Sequence, residues 1–315
     1  MKPAAETTTT DSTVQFKKKK RPVDGVLLLD KPAGLTSNAA LQSARRLYNA
    51  AKAGHTGTLD PMATGLLPVA FGEATKFTQM MLDADKTYLA RIRFGSETDT
   101  GDAEGAVIST RQVRVDKAMV EKCLAGFRGD IEQIPPMYSA LKHNGKPLYE
   151  YARMGIELER KTRTVSIRSL KLLSFDQEHI LIEVDCSKGT YIRTLAIDIG
   201  RELGCGGHLE SLRRTRIGPF SVENAITLDM LGQVDNETAR DALLAPTDEL
   251  VQHFAATELG AEQASALLHG QPLNISGEKG ISTRLYASGA FLGLGEWRED
   301  GRLWPRRLVA THISK

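Results

Sequence analysis

An α+β chain with one large unit and a small β-rich companion is what this sequence predicts, on three observations. Its 315 residues exceed the usual size of one domain. Short apolar or alternating runs, the mark of strands, are interspersed with segments of helical period. From about Pro246 the pattern changes to brief strand-like pieces. The composition, 41% hydrophobic and 25% charged, is that of a globular protein able to bury a sizeable core. No apolar run approaches the roughly 20 residues of a membrane helix and no apolar leader opens the chain, so a cytoplasmic protein away from membranes is expected. Cys123, Cys186 and Cys205 are scattered without metal spacing, which argues against a disulfide framework or a zinc site. They read as small buried hydrophobes in a reducing compartment. The net charge of +2 is uneven: residues 1–25 hold six basic against three acidic side chains, so the rest is close to neutral. Global charge therefore does not argue for nucleic acid, and local clusters must carry that case.

Residues 1–23, rich in Thr, Lys and Ala, are expected to form a disordered basic tail. Gly25 to Asp30 is a continuous apolar run, as in a buried strand, ended by Lys31-Pro32-Ala33-Gly34. Thr36 or Ser37 then caps a helix to about Asn49, with Ala40, Ala44, Leu47 and Tyr48 on one face. Residues 54–68 (GHTGTLDPMATGLLP) contain three glycines and two prolines, so a loop is expected, followed by a strand to Phe71. Glu73 to Leu82 reads as helical, with Ala74, Phe77 and Met81 on one side. Lys86 to Gly95 alternates, placing Tyr88, Ala90, Ile92 and Phe94 on the core face. Thr98 to Gly105 is acidic and reads as a solvated loop; it lacks the terminal Glu of a calcium loop. Val115 to Phe127 is an amphipathic helix.

From Ile131 to Arg163 the pattern breaks into turns, with Lys142, His143, Lys146, Arg153, Arg160, Lys161 and Arg163 among Tyr138, Tyr149 and Tyr151. Cations for phosphates and rings for exposed bases are what looped RNA requires; a plain surface excursion has the same composition. Val165 to Phe175 and His179 to Cys186 form a hairpin. Ile192, Leu195, Ala196, Ile199 and Leu203 mark a helix that ends at Gly204, with Tyr191 and Arg193 in its first turn, off the apolar face. A cation there opposes the helix dipole, and a carboxylate partner would account for it. Leu212 lies beside Arg213, Arg214 and Arg216, and the last segment carries Arg302, Trp304, Arg306 and Arg307.

The chemistry centres on Asp60 and His55, polar groups on a loop with little side-chain bulk. An Asp-Pro turn with bystander threonines is the plain alternative. Together, residues 54–68, Lys86-Thr87-Tyr88, residues 131–153, Ser187 to Leu195 and Leu212 to Gly218 closely resemble the TruB family of bacterial tRNA pseudouridine-55 synthases. The likeness runs colinearly over residues 24–312; the C-terminal part resembles a PUA domain through its GLGEW and PRRLV stretches.

The resemblance implies a pseudouridine synthase catalytic fold over residues 24–245, with a mixed, largely antiparallel sheet flanked by helices. It implies a PUA-like RNA-binding domain at 246–315 and a mobile RNA-contacting insertion at 131–163. Asp60 would be the catalytic aspartate, Tyr88 would stack on the target base, and Arg193 would pair with Asp60 and favour its ionised form. His55, Tyr191 and Leu212 would line the site for flipped nucleotides, and Lys31 belongs to the family's first motif. The substrate would be the T arm of tRNA. No cofactor, metal or obligatory protein partner is expected, and a monomer is. Against this stand a nucleoside hydrolase, which would usually want two carboxylates, and a noncatalytic RNA-binding protein, which would not need Asp60.

Overall fold

The computed structural model describes residues 19–310; the expected tail lies outside them except for its last residues. Two of those residues are packed. Arg21 forms a two-pronged ion pair with Asp241 (2.6 and 2.8 Å), and Val23 is buried. The chain passes through β1 (Gly25–Lys31), α1 (Ser37–Leu47), β2 (Ala53–His55) and β3 (Thr64–Phe71). A 3-10 turn (Gly72–Lys76), α2 (Thr78–Leu82), β4 (Lys86–Phe94), β5 (Ser96–Thr98) and β6 (Val107–Thr110) follow. Next come α3 (Lys117–Gly126), β7 (Gly129–Gln133), the small hairpin β8 (Lys142–His143) and β9 (Lys146–Pro147), and α4 (Leu148–Arg153). The hairpin β10 (Arg163–Phe175) and β11 (His179–Cys186), then α5 (Ile192–Glu202) and β12 (Gly207–Ile217), complete the centre. β13 (Phe220–Ser221), β14 (Ile226–Thr227), α6 (Leu228–Gly232) and α7 (Glu237–Asp241) close the large unit.

The main sheet runs β14-β1-β3-β12-β4-β11-β10-β7, with β2 on β3 and β13 on β12. Only the β1–β14 and β3–β12 pairs are parallel, so the sheet is mixed and largely antiparallel. β1 and β3 read as continuous apolar runs because α1 covers one face and the 3-10 turn with α2 the other. On the other half, α3 and α5 pack over the inward residues of β4, β10, β11 and β12. The alternation expected in β4 is present, with Tyr88, Ala90, Ile92 and Phe94 buried.

Three expectations change in detail. Residues 64–68 belong to β3 and His55 ends β2, so the glycine-rich loop shrinks to 56–63. The segment 72–82 is two short helical pieces rather than one, yet it keeps its apolar side. Residues 98–105 are only partly solvated: Asp99, Ala103 and Glu104 are exposed. Thr98 and Asp102 are buried, because backbone bonds between Gly101, Ala103 and Leu209 stitch the loop to β12.

The C-terminal segment folds as β15 (Ala255–Glu258), α8 (Ala261–Leu268), β16 (Ser282–Ala287), β17 (Ala290–Trp297) and β18 (Leu303–Leu308), in sheet order β15-β16-β17-β18. It has its own small core around Leu259, Leu267, Leu285 and Leu303. It also packs on the large unit: Leu294, Leu250 and Val251 share a cluster with Val26, Leu66 and Phe77, and the Phe77 and Phe291 rings lie 5.5 Å apart. No helix among the described residues is long and apolar enough to cross a membrane.

Candidate active site

Sheet register brings the site together. Gly65 of β3 lies opposite Arg214 of β12, and Arg214 lies opposite Tyr88 of β4. The loop entering β3 is thereby set beside the start of β4. β11 ends against that start, Cys186 facing Lys86, so the turn into α5 delivers Tyr191 and Arg193 to the same place. The close β3–β12 approach needs a glycine: Gly65 has φ +103°, and a Cβ there would sit 2.3 Å from the Arg214 carbonyl oxygen.

The loop carrying Asp60 is held by its carbonyls. Arg214 donates to Thr58 (3.3 Å), Ser37 to Leu59 (3.1 Å) and Lys31 to Pro61 (3.2 Å). The Lys31 ammonium is fully buried and also donates to Pro32 and Leu35, so its three donors are all used within the protein. Lys31, expected at the substrate, commits its ammonium to carbonyls that include one of the loop; burial holds its pKa down to about 8. Cys186 and Cys205 are buried, and burial pushes the Cys186 thiol up to about 12, which suits an inert packing role.

Asp60 faces Arg193 in a two-pronged contact, Nε to Oδ2 at 3.0 Å and Nη2 to Oδ1 at 3.2 Å. The same guanidinium donates to the carbonyls of Thr100 (3.2 Å) and Tyr138 (2.7 Å) and lies 3.5 Å from the Asp102 carboxylate. All three guanidinium nitrogens are engaged, which explains how a cation survives with a side chain only 6% exposed. Arg193 is thus buried although it lies off the apolar face of α5; two carboxylates compensate its burial. Asp102 is fixed in turn by Thr100 Oγ1 (2.6 Å) and the Glu104 amide (3.1 Å).

Burial pushes the Asp60 carboxyl above the usual carboxylate range; Arg193 pulls it down and the negative Asp102 pushes it up again. The expectation that Arg193 favours the ionised form holds as one contribution, outweighed by desolvation and by a second carboxylate that the sequence did not reveal. A pocket of about 220 Å³ opens here, lined by Asp60, Tyr88, Tyr191, Arg193, Leu212 and the buried Ser139 of the insertion. That is below the roughly 300–1,000 Å³ of sites for drug-sized ligands. Burial raises the Tyr88 and Tyr191 phenols, which stay neutral.

His55 does not line this pocket; its Nδ1 accepts from the Gly57 amide at 3.4 Å. Burial, then the charge of Arg214, lowers its pKa, so a neutral ring flanks the loop. Arg214 itself is fully buried with no carboxylate partner among its bonds, donating to Leu66 and Thr58. The sequence grouped Arg213, Arg214 and Arg216 together, but strand alternation turns Arg213 away from Arg214, to pair with Asp30 at 2.7 Å on the other face, and Arg216 is exposed beyond a register shift. Asp102, Gln133, Ser139 and the inward Arg214 are the site residues that sequence reasoning missed. Only for Arg214 was there a signal, the period-2 alternation of β12.

A mixed, largely antiparallel sheet with one arginine-paired carboxylate beside the buried Tyr88 and the half-buried Tyr191 is the arrangement expected of the pseudouridine synthase class. Solved structures agree. The chain superimposes with a TM-score of 0.71 and 25% identity, over 92% of this chain and 86% of the other, on a chain of an H/ACA RNP bound to a substrate RNA containing 2′-deoxyuridine. A chain of a Cbf5-Nop10-Gar1 complex gives 0.68 and 28%, covering 91% and 84%. Within that class, residues 45–192 match the profile of the TruB family pseudouridylate synthase N-terminal domain. Residues 193–252 match the tRNA pseudouridylate synthase B C-terminal domain, and 255–309 the pseudouridine synthase II TruB C-terminal profile. A tRNA pseudouridine synthase B of Aromatoleum aromaticum is 62% identical over 298 residues, 94% of this chain and 96% of that one. One from Azoarcus sp. is 58% identical over 302 residues, 96% and 100%. The chain belongs to the TruB family of pseudouridylate synthases.

Proposed function

We propose that this enzyme converts the uridine at position 55 in the T loop of tRNA to pseudouridine, with Asp60 as the essential carboxylate. The observation that carries the reading is the Asp60–Arg193–Asp102 cluster beside a pocket of about 220 Å³ that Asp60 and Arg193 line. The N1–C1′ bond breaks, the uracil turns, and a C5–C1′ bond forms; C5 loses a proton and N1 gains one. The sum is an isomerisation, so no donor, acceptor or cofactor is consumed. Asp60 acts as a carboxylate, either at uracil C6 or at the ribose. Arg193 favours its ionised form and aims it. Tyr88 stacks on the base, Tyr191 and Leu212 close its other sides, and neutral His55 takes the space that the flipped nucleotide leaves, at a cost of a few kcal/mol for unstacking.

The insertion supports RNA binding: Lys142, His143 and Lys146 are exposed on its hairpin, and Arg153 lies over the Tyr149 ring. Residues 24–245 carry the chemistry and 246–315 add RNA-binding surface. In that surface Arg302 is paired with Asp300 and Arg306 lies 3.7 Å from Glu296. The chain acts as a cytoplasmic monomer on tRNA without a protein partner. Tritium release from tRNA transcript carrying [5-³H]uridine tests this. Wild type releases tritium and Asp60→Asn does not, while both bind tRNA; mass analysis places the product at position 55. Free uracil would establish a hydrolase, and release by neither with binding by both a noncatalytic RNA-binding protein.

A further inference from the structure

α5 lacks the local cap that helix starts require. Tyr191 occupies the cap position and its side chain makes no capping bond. The backbone of Tyr191 is held instead by the side chain of Gln133, the last residue of β7, 58 positions earlier in the chain. Its Oε1 accepts from the Tyr191 amide at 3.0 Å and its Nε2 donates to the Tyr191 carbonyl at 3.2 Å. The side chain is 2% exposed, and both ends of its amide are satisfied by this one residue. A buried amide bonded to both backbone groups of one residue, and so to two successive peptide units, fixes that residue's orientation as well as its place.

Gln133 is also where the insertion leaves the sheet. From it the chain runs along the first turn of α5: Thr194 Oγ1 donates to the Ile134 carbonyl at 3.5 Å, Arg193 Nη2 to the Tyr138 carbonyl at 2.7 Å, and Ser139 reaches the pocket wall. The catalytic helix start and the base of the RNA-contacting insertion therefore share one anchor.

We propose that Gln133 is a positioning residue for the reaction: by holding the Tyr191 backbone to the root of the insertion, it sets the aim of Arg193 on Asp60. The proposal rests on the roles given above to Asp60 and Arg193. A guanidinium freed to swing by an ångström loses its paired contact with Asp60, and misplacement on that scale costs on the order of 10²-fold in rate.

The test uses full-length Gln133→Met, close to Gln in shape but without its hydrogen bonds, and Gln133→Glu, which keeps the acceptor for the Tyr191 amide. In the tritium-release assay Gln133→Met lowers kcat by on the order of 10–100-fold. Its KM for tRNA and its Tm stay near those of wild type, and the acid limb of its kcat profile moves to higher pH, because Arg193 no longer lowers the Asp60 pKa. Gln133→Glu recovers part of the lost kcat. Normal kcat in Gln133→Met beside an inactive Asp60→Asn overturns the Gln133 role alone. A loss of kcat that tracks a fall in Tm, with the acid limb unmoved, reduces Gln133 to a structural residue. Equal release by Asp60→Asn and wild type overturns the Asp60 reading, and this proposal with it.

Discussion

At Asp60 two effects oppose each other: burial favours the neutral acid, and the guanidinium of Arg193 favours the carboxylate. Arg193→Ala removes the second and leaves Asp60 and Asp102 as neighbouring, partly buried carboxyls without their shared cation. We expect turnover to fall by on the order of 10²–10³-fold or more while tRNA binding, measured by filter retention, is largely kept. The sign of the pH effect follows from the same balance. A carboxyl raised above its unperturbed pKa of about 3.9 must be deprotonated to work, so the acid limb of kcat should lie above that value. Asp102 raises the Asp60 pKa, and Asp102→Asn should therefore shift this limb to lower pH. A limb that moves upward would show that Asp102 acts mainly by orienting Arg193.

Elements position these residues by close approach of backbone. β3 and β12 run parallel at the centre of an otherwise antiparallel neighbourhood, and the loop before β3 inherits its place from that pairing. Gly65→Ala sets a Cβ against the Arg214 carbonyl in a backbone region that suits glycine, for a cost of about 3 kcal/mol. The urea midpoint should drop accordingly, and activity with it, since the same contact seats the Asp60 loop. Full stability in this variant would mean that β3 is not pinned at Gly65. The helix α5 was legible from its spacing of apolar residues, and Arg193 was flagged because a cation at a helix start is unfavourable. Its second carboxylate was not legible, because Asp102 sits in an acidic stretch that by composition belongs in water.

Across the whole molecule, the C-terminal module completes a core as well as having one of its own. Leu294 is fully buried in the cluster that also holds Val26, Leu66 and Phe77 of the large unit. Leu294→Ala should destabilise the chain by about 2–5 kcal/mol and lower one shared thermal transition. Two separate transitions in calorimetry would show that the module melts independently.

The sequence by itself determined the local elements and their faces: the apolar runs of β1 and β3, the alternation of β4, the period of α5 and the turn-rich loop around Asp60. Hydrophobic periodicity is a local property, so it can be read without a fold. The five motifs in order also identified the family, and with it the expected partners Tyr88, Tyr191, Arg193 and Leu212 of Asp60. Only the tertiary structure showed that the Lys31 ammonium donates to a carbonyl of the Asp60 loop, that Asp102 joins Asp60 on one guanidinium, and that Gln133 holds the backbone of Tyr191, 58 residues away, at the start of α5. Each of those depends on burial and on hydrogen bonds between distant segments. A polar residue's sequence neighbours do not show whether it meets water or a partner; the register of the sheet does.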